Sequence, residues 1–346
     1  MVKLILAQLK KQWQVAFFYT LISPLISNTF NRTKHKGENT MRKILTLALS
    51  LMMIFVLGAC SSNEQGAENE EGTTTTSAQT FNIGAIPDQD ASELNPNMDQ
   101  MANYLSEKIG HNVKFIPSND YASLVTAFER GEMQMVWFGG LTGVQARSAV
   151  EGAEAIAQRP SDAEFKSVFI QQKGLGLEGI EDVKGHTFTF GSESSTSGSL
   201  MPRYFMTQAG IDPEKDLNSQ PNYSGNHDTT IKLVETGAFE TGALNISVWE
   251  KTVAEGNVDL DKVEVFYTTP DYYDYNWTVN KDEFLDTIYG EGTKEKLKEA
   301  LFAMSPEGSE EEKAVLNFFQ TDKFIETNND NYKNIEEVAR SLGMIN

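Results

Sequence analysis

Residues 133–157 read MQMVWFGGLTGVQARSAVEGAEAIA, and their pattern decides the fold. Met133 to Phe138 is a short apolar run of strand character, and Gly139 and Gly140 break it. Leu141 to Ser148 has helical spacing, and Ala153 to Ala157 is apolar again. Strand, glycine turn, helix and strand in that order build a parallel sheet covered by helices.

The same alternation extends outward. Upstream lie a strand over Phe81 to Ile86, a Pro87 to Asp90 turn, and a helix over Asn97 to Ile109 with Met98, Met101, Leu105 and Ile109 on one face. A strand over Asn112 to Ile116 and a helix over Tyr121 to Arg130, ended by Gly131, follow. Downstream, Phe165 to Gln172 reads as a crossover strand, and Gly179 to Phe190 begins a second unit of the same kind. Its helices start at Ser195 and span Asp228 to Glu235; its further strands are Thr241 to Ile246 and Val263 to Tyr267. Asn276 to Val279 carries the chain back, and Thr293 to Met304, Glu310 to Phe319 and Ile335 to Leu342 are amphipathic helices. The expected fold class is α/β: two lobes, each a mostly parallel sheet flanked by helices, joined by two crossings into a hinged clamshell. Residues 80–172 and 275–346 form lobe 1, and 173–274 form lobe 2. No internal repeat is present.

The N-terminus predicts targeting. Residues 41–59 have two basic residues, Arg42 and Lys43, then an apolar run and small residues ahead of Cys60, as in a secretory signal peptide with a lipoprotein ending. Leu57-Gly58-Ala59-Cys60 resembles a lipobox, which makes Cys60 the lipidation site and membrane anchor. A cysteine within a transmembrane helix is the alternative, but the run is about 15 residues against the ~20 that a span needs. Residues 1–40 read as an upstream extension from a mis-called start, and 60–79 as a disordered tether.

Charge excludes one class of partner. The chain has 29 Lys/Arg against 49 Asp/Glu, a formal net charge of −20; 8 of the basic residues and one acid precede Cys60, leaving −27 beyond it. Such an acidic chain argues against a nucleic-acid partner. An anionic ligand would have to be held by local donors and helix ends. The single cysteine rules out an intrachain disulfide. No H-E-x-x-H, G-x-S-x-G or glycine-rich nucleotide loop is present, so no metal, cofactor or catalytic residue is expected.

In α/β folds ligands sit outside the carboxyl ends of the strands. Four segments fall there: Pro87 to Asp90, which contains Gln89; Phe138 to Thr142, which contains Gly139; Ser194 to Gly198; and Ser224 to Asp228. In the third, a strand ends at Phe190, five hydroxyl residues and a glycine lie within Ser192 to Gly198, and a helix follows. Helix-start N–H groups, the dipole and Ser/Thr hydroxyls together cradle an anion; a Ser N-cap on a flexible turn is the plainer alternative. His227 either receives the ligand or caps the helix beginning at Asp228. The aromatic residues Tyr272, Tyr273, Tyr275 and Trp277 suit interlobe packing or a ligand wall. A carboxylate that accepts a ligand proton rejects fully ionised analogues, a role open to Asp228. Ser195 or Ser197 with His227 as base would make a serine hydrolase, the competing enzyme reading.

Ser195-Thr196-Ser197-Gly198 with Pro202, followed by Ser224-Gly225-Asn226-His227-Asp228, resembles the phosphonate and phosphite periplasmic binding proteins of ABC importers. The resemblance runs from Asp120-Tyr121 through Trp137-Phe138-Gly139 to Asp271–Trp277. AIPDQD at 85–90 and WFGGLTGVQAR at 137–147 look like a subgroup described as selenate transporters. It implies a type II periplasmic-binding-protein clamshell: a monomeric, lipid-anchored protein outside the cell membrane that binds a small tetrahedral oxyanion and hands it to an ABC permease and ATPase. A receptor that only senses the ligand would share the fold. The resemblance further implies that Ser195, Thr196 and Ser197 donate to the oxyanion, that His227 is the family's histidine and Tyr121 its first-lobe aromatic donor. Phe165 stands where the family has a second Tyr, which removes a hydroxyl. Asp274 stands where aminophosphonate binders hold the ligand's amine; the second such acid falls near Asn245, which disfavours an aminoalkyl ligand.

Overall fold

The computed structural model describes residues 79–345. The expectations for 1–40, the signal peptide at 41–59, Cys60 and all but the last residue of the tether lie outside the described residues.

The chain begins with β1 (Phe81–Ala85), α1 (Ala91–Ile109), β2 (Val113–Phe115), α2 (Tyr121–Glu129), β3 (Met135–Phe138), α3 (Gly140–Ala149) and β4 (Glu154–Gln158). It crosses and continues as β5 (Ser167–Gln172), β6 (Phe188–Phe190), α4 (Met201–Gln208), β7 (Asn222–Tyr223), α5 (His227–Glu235), β8 (Thr241–Asn245), α6 (Ile246–Ala254) and β9 (Val263–Thr268). It then returns through β10 (Asn276–Val279), α7 (Asp282–Tyr289), α8 (Thr293–Ala303), α9 (Glu310–Phe318), β11 (Ile325–Glu326) and α10 (Lys333–Ser341). The first sheet has the order β11-β4-β10-β3-β1-β2 and the second β7-β6-β8-β5-β9.

Two features refine the expectation. The sheets are mixed: β1 pairs in parallel with β2 and β3, and β6 with β7 and β8, but β10 runs antiparallel to β3 and β4, and β5 antiparallel to β8 and β9. β5 and β10, the first strands after each crossing, are both reversed, and the edge strand β11 runs antiparallel to β4 as well. Because β5 pairs only with β8 and β9, it belongs to the second lobe. The first crossing therefore precedes Ser167, ahead of the boundary expected at residue 172, and the chain returns to the first sheet between β9 and β10.

The packing follows from residue pattern. In β5, Val168 and Ile170 face one side and pack with Ile231, Val234 and Val248 of α5 and α6; Phe169 faces the other and packs with Phe188 and Met206. Period-two alternation with both faces apolar marks a strand covered on both sides. Each such side chain stabilises by about 1.5–3 kcal/mol. The first lobe closes around Phe81, Ile83, Met98, Leu105, Phe128 and Trp277, and Leu200 and Met201 at the start of α4 join that core from the second lobe. The lobes are thus packed together in a closed arrangement.

α1 begins six residues earlier than its apolar spacing predicts. Pro96 lies inside it, where a missing N–H interrupts the ladder. Asp90 nonetheless starts the helix by accepting from the Ser92 N–H at 2.8 Å.

Candidate functional site

The carboxyl ends of β1 and β3 face those of β6 and β8, and helix starts from both lobes converge between them. At the end of β6 the chain doubles back. The Gly191 N–H donates to Gly198 O at 2.8 Å, and a Cβ on Gly198 would stand 3.0 Å from Gly191 Cα, so the close approach needs glycine. Ser195 caps the following helix, its Oγ accepting from the Gly198 N–H at 3.0 Å. The first turn is one residue wider than an α-turn, closed by Leu200 N–H to Ser195 O at 3.0 Å. Such widened turns re-aim backbone and side chains, often at functional sites. Ser195, Thr196 and Ser197 all line this turn, 1–2% exposed.

At the start of α5, Asn226 caps by accepting from the Thr229 N–H at 2.8 Å, which leaves the next residue, His227, to point into the cleft rather than to cap. His227 is wholly buried. Its Nδ1 accepts from the Asn245 N–H at 3.4 Å, so its proton resides on Nε2. Burial pushes its pKa down to about 3, and the ring stays neutral. Nε2 has no partner within the protein. Tyr121 opens α2 behind the cap Asp120; its buried hydroxyl faces Ser195 without a well-formed hydrogen bond, and burial raises its pKa well above 10.

Asp274 lies on the return crossing. Its Oδ1 accepts from the Gly140 N–H at 2.8 Å, at the start of α3. The Thr196 hydroxyl also faces Asp274, and Thr196 Oγ1 accepts from the Leu141 N–H at 3.0 Å. Thr196 therefore ties the second lobe to the first. Asp274 Oδ2 is buried and unpartnered. Burial raises the carboxyl to about 7, opposed by the Gly140 and Thr196 bonds. Gly139 permits this meeting, since a Cβ there would lie 3.1 Å from Thr196 Oγ1 and 3.3 Å from Asp274 Oδ1.

The remaining predicted residues play other parts. Asn245 is spent: its Oδ1 caps α6 through the N–H groups of Ser247 and Val248 at 2.7 and 3.1 Å, and its Nδ2 donates to Tyr275 Oη at 2.9 Å. Asp228 Oδ2 accepts from the Asp90 N–H across the cleft at 2.8 Å, so it serves as an interlobe tie at the rim. Gln89 also sits at the rim, its Oε1 3.4 Å from Lys251 Nζ. The Phe138 ring packs edge-on against Phe128, with centroids 5.6 Å apart, and belongs to the core. Phe165 pairs its backbone with Tyr272 at the hinge and sets its ring edge-on to Tyr272 and Tyr275.

Several residues were not assigned these parts by pattern. Tyr275, read only as one of an aromatic cluster, donates to Asp88 Oδ2 at 2.8 Å. Asp88, whose carboxyl burial raises to about 6, accepts the His227 N–H on its backbone oxygen at 3.1 Å. Tyr272 bonds Ser167, which donates to Ser197 O, at 2.7 Å each. The buried pair Arg159–Asp162, at 2.6 Å, braces the crossing beneath Trp137 and Tyr275. In the sequence, the acid-aromatic composition of 271–277 and the place of the Pro87 to Asp90 turn among the cleft segments point to these residues, but not to their partners.

The site thus offers Tyr121 Oη and His227 Nε2 as buried donors without protein partners and Asp274 Oδ2 as a lone buried carboxyl oxygen. Unsatisfied buried polar atoms are costly, and a small oxyanion satisfies such donors. No serine bonds His227 Nε2, so the nucleophile–base contact of a hydrolase is not made. Among the described residues no group of three His, Cys, Asp or Glu is placed to hold a metal ion.

The family described as "ABC transporter, phosphonate, periplasmic substrate-binding protein" matches residues 83–332. The "Probable ABC transporter phosphite binding protein PhnD1" of Prochlorococcus marinus (strain MIT 9301) is 41% identical over 269 residues, covering 76% of this chain and 90% of that protein. A solved structure of PhnD1 from the same organism, in complex with methylphosphonate, superposes with a TM-score of 0.74 at 40% identity, covering 77% of this chain and 99% of that one. The phosphonates-binding periplasmic protein of Escherichia coli (strain K12) is 23% identical over 237 residues, covering 66% and 67%.

Proposed function

This chain belongs to the phosphonate-binding family of ABC transporter periplasmic substrate-binding proteins, and on that footing we propose that it captures a small phosphorus oxyanion of the methylphosphonate or phosphite class between its lobes. The family consists of binding proteins rather than enzymes. The observation that carries the proposal is the pair of buried, unpartnered donors, Tyr121 Oη and His227 Nε2, beside the hydroxyl turn at 195–197. A neutral histidine with its proton on Nε2 suits an anion oxygen. The net negative charge of the chain makes these local donors necessary.

Small substituents are favoured over aminoalkyl ones. Asn245 stands where the second acid would be, and it is engaged in capping α6 and holding Tyr275, so the pair of acids that would hold a ligand amine is not assembled there. The described fold, closed across the cleft, suits delivery of the ligand to a membrane permease, which distinguishes closed from open lobes. Lipid attachment at Cys60 would hold a monomeric protein at the extracytoplasmic face. Cys60→Ser should then move the protein from the membrane fraction to the soluble one.

The test is a thermal-shift panel on the mature chain with phosphate, phosphite, methylphosphonate, aminoethylphosphonate, sulfate and selenate. A tight ligand at 100-fold excess over its Kd stabilises by ~2.7 kcal/mol. A rise with methylphosphonate or phosphite that Ser197→Ala diminishes supports the reading. No response to any of the six sinks it.

A further inference from the structure

Resting on that reading of the cleft, we propose that Asp274 is the residue that reads the ligand's protonation state: the bound complex holds one proton between Asp274 Oδ2 and a ligand oxygen. The geometry carries this in three steps. Oδ1 is fixed from the first lobe by the Gly140 N–H at 2.8 Å, and the Thr196 hydroxyl of the second lobe faces the same carboxyl group. Oδ2 is buried and unpartnered. The other unpartnered cleft atoms, Tyr121 Oη and His227 Nε2, are donors, so a carboxyl oxygen among them meets an anion oxygen only if a proton lies between the two.

The surrounding groups agree. Facing Asp274 are Tyr121 from α2, Arg159 and Asp162 from the turn after β4, Tyr332 from the turn before α10, and Tyr272 and Tyr275 from its own segment. Asp88 lies beyond Tyr275. The one cation, Arg159, is committed to Asp162 through 2.6 and 2.9 Å bonds. No free positive charge holds Asp274 ionised against an incoming anion, and burial raises it to about 7. The proton balances in either direction. A monoanionic R–PO2(OH)⁻ donates its P–OH to the carboxylate, with no net uptake. A dianion arriving at ionised Asp274 takes one proton from solvent, which then sits on Asp274 or on the ligand. Asp228 does not fit this role: its Oδ2 accepts from the Asp90 N–H and the residue is only part-buried at the rim, whereas the free oxygen of Asp274 is buried and unpartnered.

The experiment is calorimetric titration of methylphosphonate at alkaline pH, where ligand and Asp274 are both ionised, in buffers of different ionisation enthalpy. The expected result is uptake of about one proton per complex and an affinity that falls about tenfold per pH unit. Asp274→Asn, a neutral isostere, should take up no proton and lose that slope. Sulfate, which carries no proton in this range, should show the same slope in the wild type only. Zero proton uptake by the wild-type protein, or equal uptake by Asp274→Asn, overturns the proposal, and the wild-type measurement decides it even if the variant fails to fold. Failure of the functional reading looks different: no heat and no binding with any oxyanion at any pH.

Discussion

His227 and Asp274 show how burial shifts two titratable groups in opposite directions. Removing the Nε2–H donor with His227→Ala should raise the Kd for methylphosphonate by roughly ten- to a hundredfold, since a hydrogen bond to a charged group is worth about 1.5–3 kcal/mol; calorimetry reads this directly. Stability of the unliganded protein should respond to pH with definite signs. Folded His227 titrates at about 3 against about 6.5 when unfolded, so its contribution is complete above 6.5 and is lost as the pH falls towards 3. Asp88 and Asp274 titrate at about 6 and about 7 when folded against about 3.9 unfolded. Their contribution is complete below that value and is lost as the pH rises through 6 and 7. From pH ~8 down to ~6.5, above the His227 window, the melting temperature should therefore rise, and Asp274→Asn should flatten that limb. A melting temperature indifferent to pH across this interval would contradict the burial of both acids.

The start of α4 is where local sequence speaks most clearly. Gly191, Ser195 and Gly198 are contiguous enough that a strand end, a hydroxyl cap and a tight return could be read as one device. The wider turn closed by Leu200 and Ser195 could not, because it depends on Leu200 and Met201 packing into the core of the other lobe. Gly198→Ala should test the device: its Cβ would press on Gly191 Cα at 3.0 Å and Ser195 Oγ at 3.1 Å. Forced overpacking of this kind costs about 1–3 kcal/mol. Denaturant melts should show that loss, together with weakened oxyanion binding, whereas Gly210→Ala at φ +80, with nothing within 4 Å, should strain only the backbone and spare the affinity. Elsewhere the limits of local reading have physical causes. α1 runs through Pro96 because Asp90 anchors it upstream. Asp274 meets Gly140 over 134 residues and Thr196 meets Leu141 over 55, and no periodicity encodes such convergence.

The two-lobed α/β class was legible because alternating apolar strands and amphipathic helices persist along the whole body, but the lobe boundary was not. β5 was placed by pattern with the strands before it, whereas its partners β8 and β9 come much later in the chain, and only the folded pairing reveals which lobe it joins. Closure likewise depends on contacts between distant segments. Asp90 N–H to Asp228 and His227 N–H to Asp88 O join the loop after β1 to the start of α5. At the rim, Lys251 of α6 pairs with Glu93 of α1 and lies over the Phe318 ring of α9 at 5.8 Å. Lys251 is mostly shielded while Glu93 is nearly half exposed, so the pair should contribute no more than about 1 kcal/mol. All of that contribution belongs to the closed state, since opening separates α6 from α1. Lys251→Ala should therefore leave the unfolding transition nearly unchanged yet weaken ligand affinity up to about fivefold, through faster dissociation rather than slower association. Added salt should narrow the gap between variant and wild type by screening the pair. Stopped-flow kinetics at low and high ionic strength would check this. A lower association rate with unchanged dissociation would mean that Lys251 acts on ligand approach and that closure rests on the backbone ties alone.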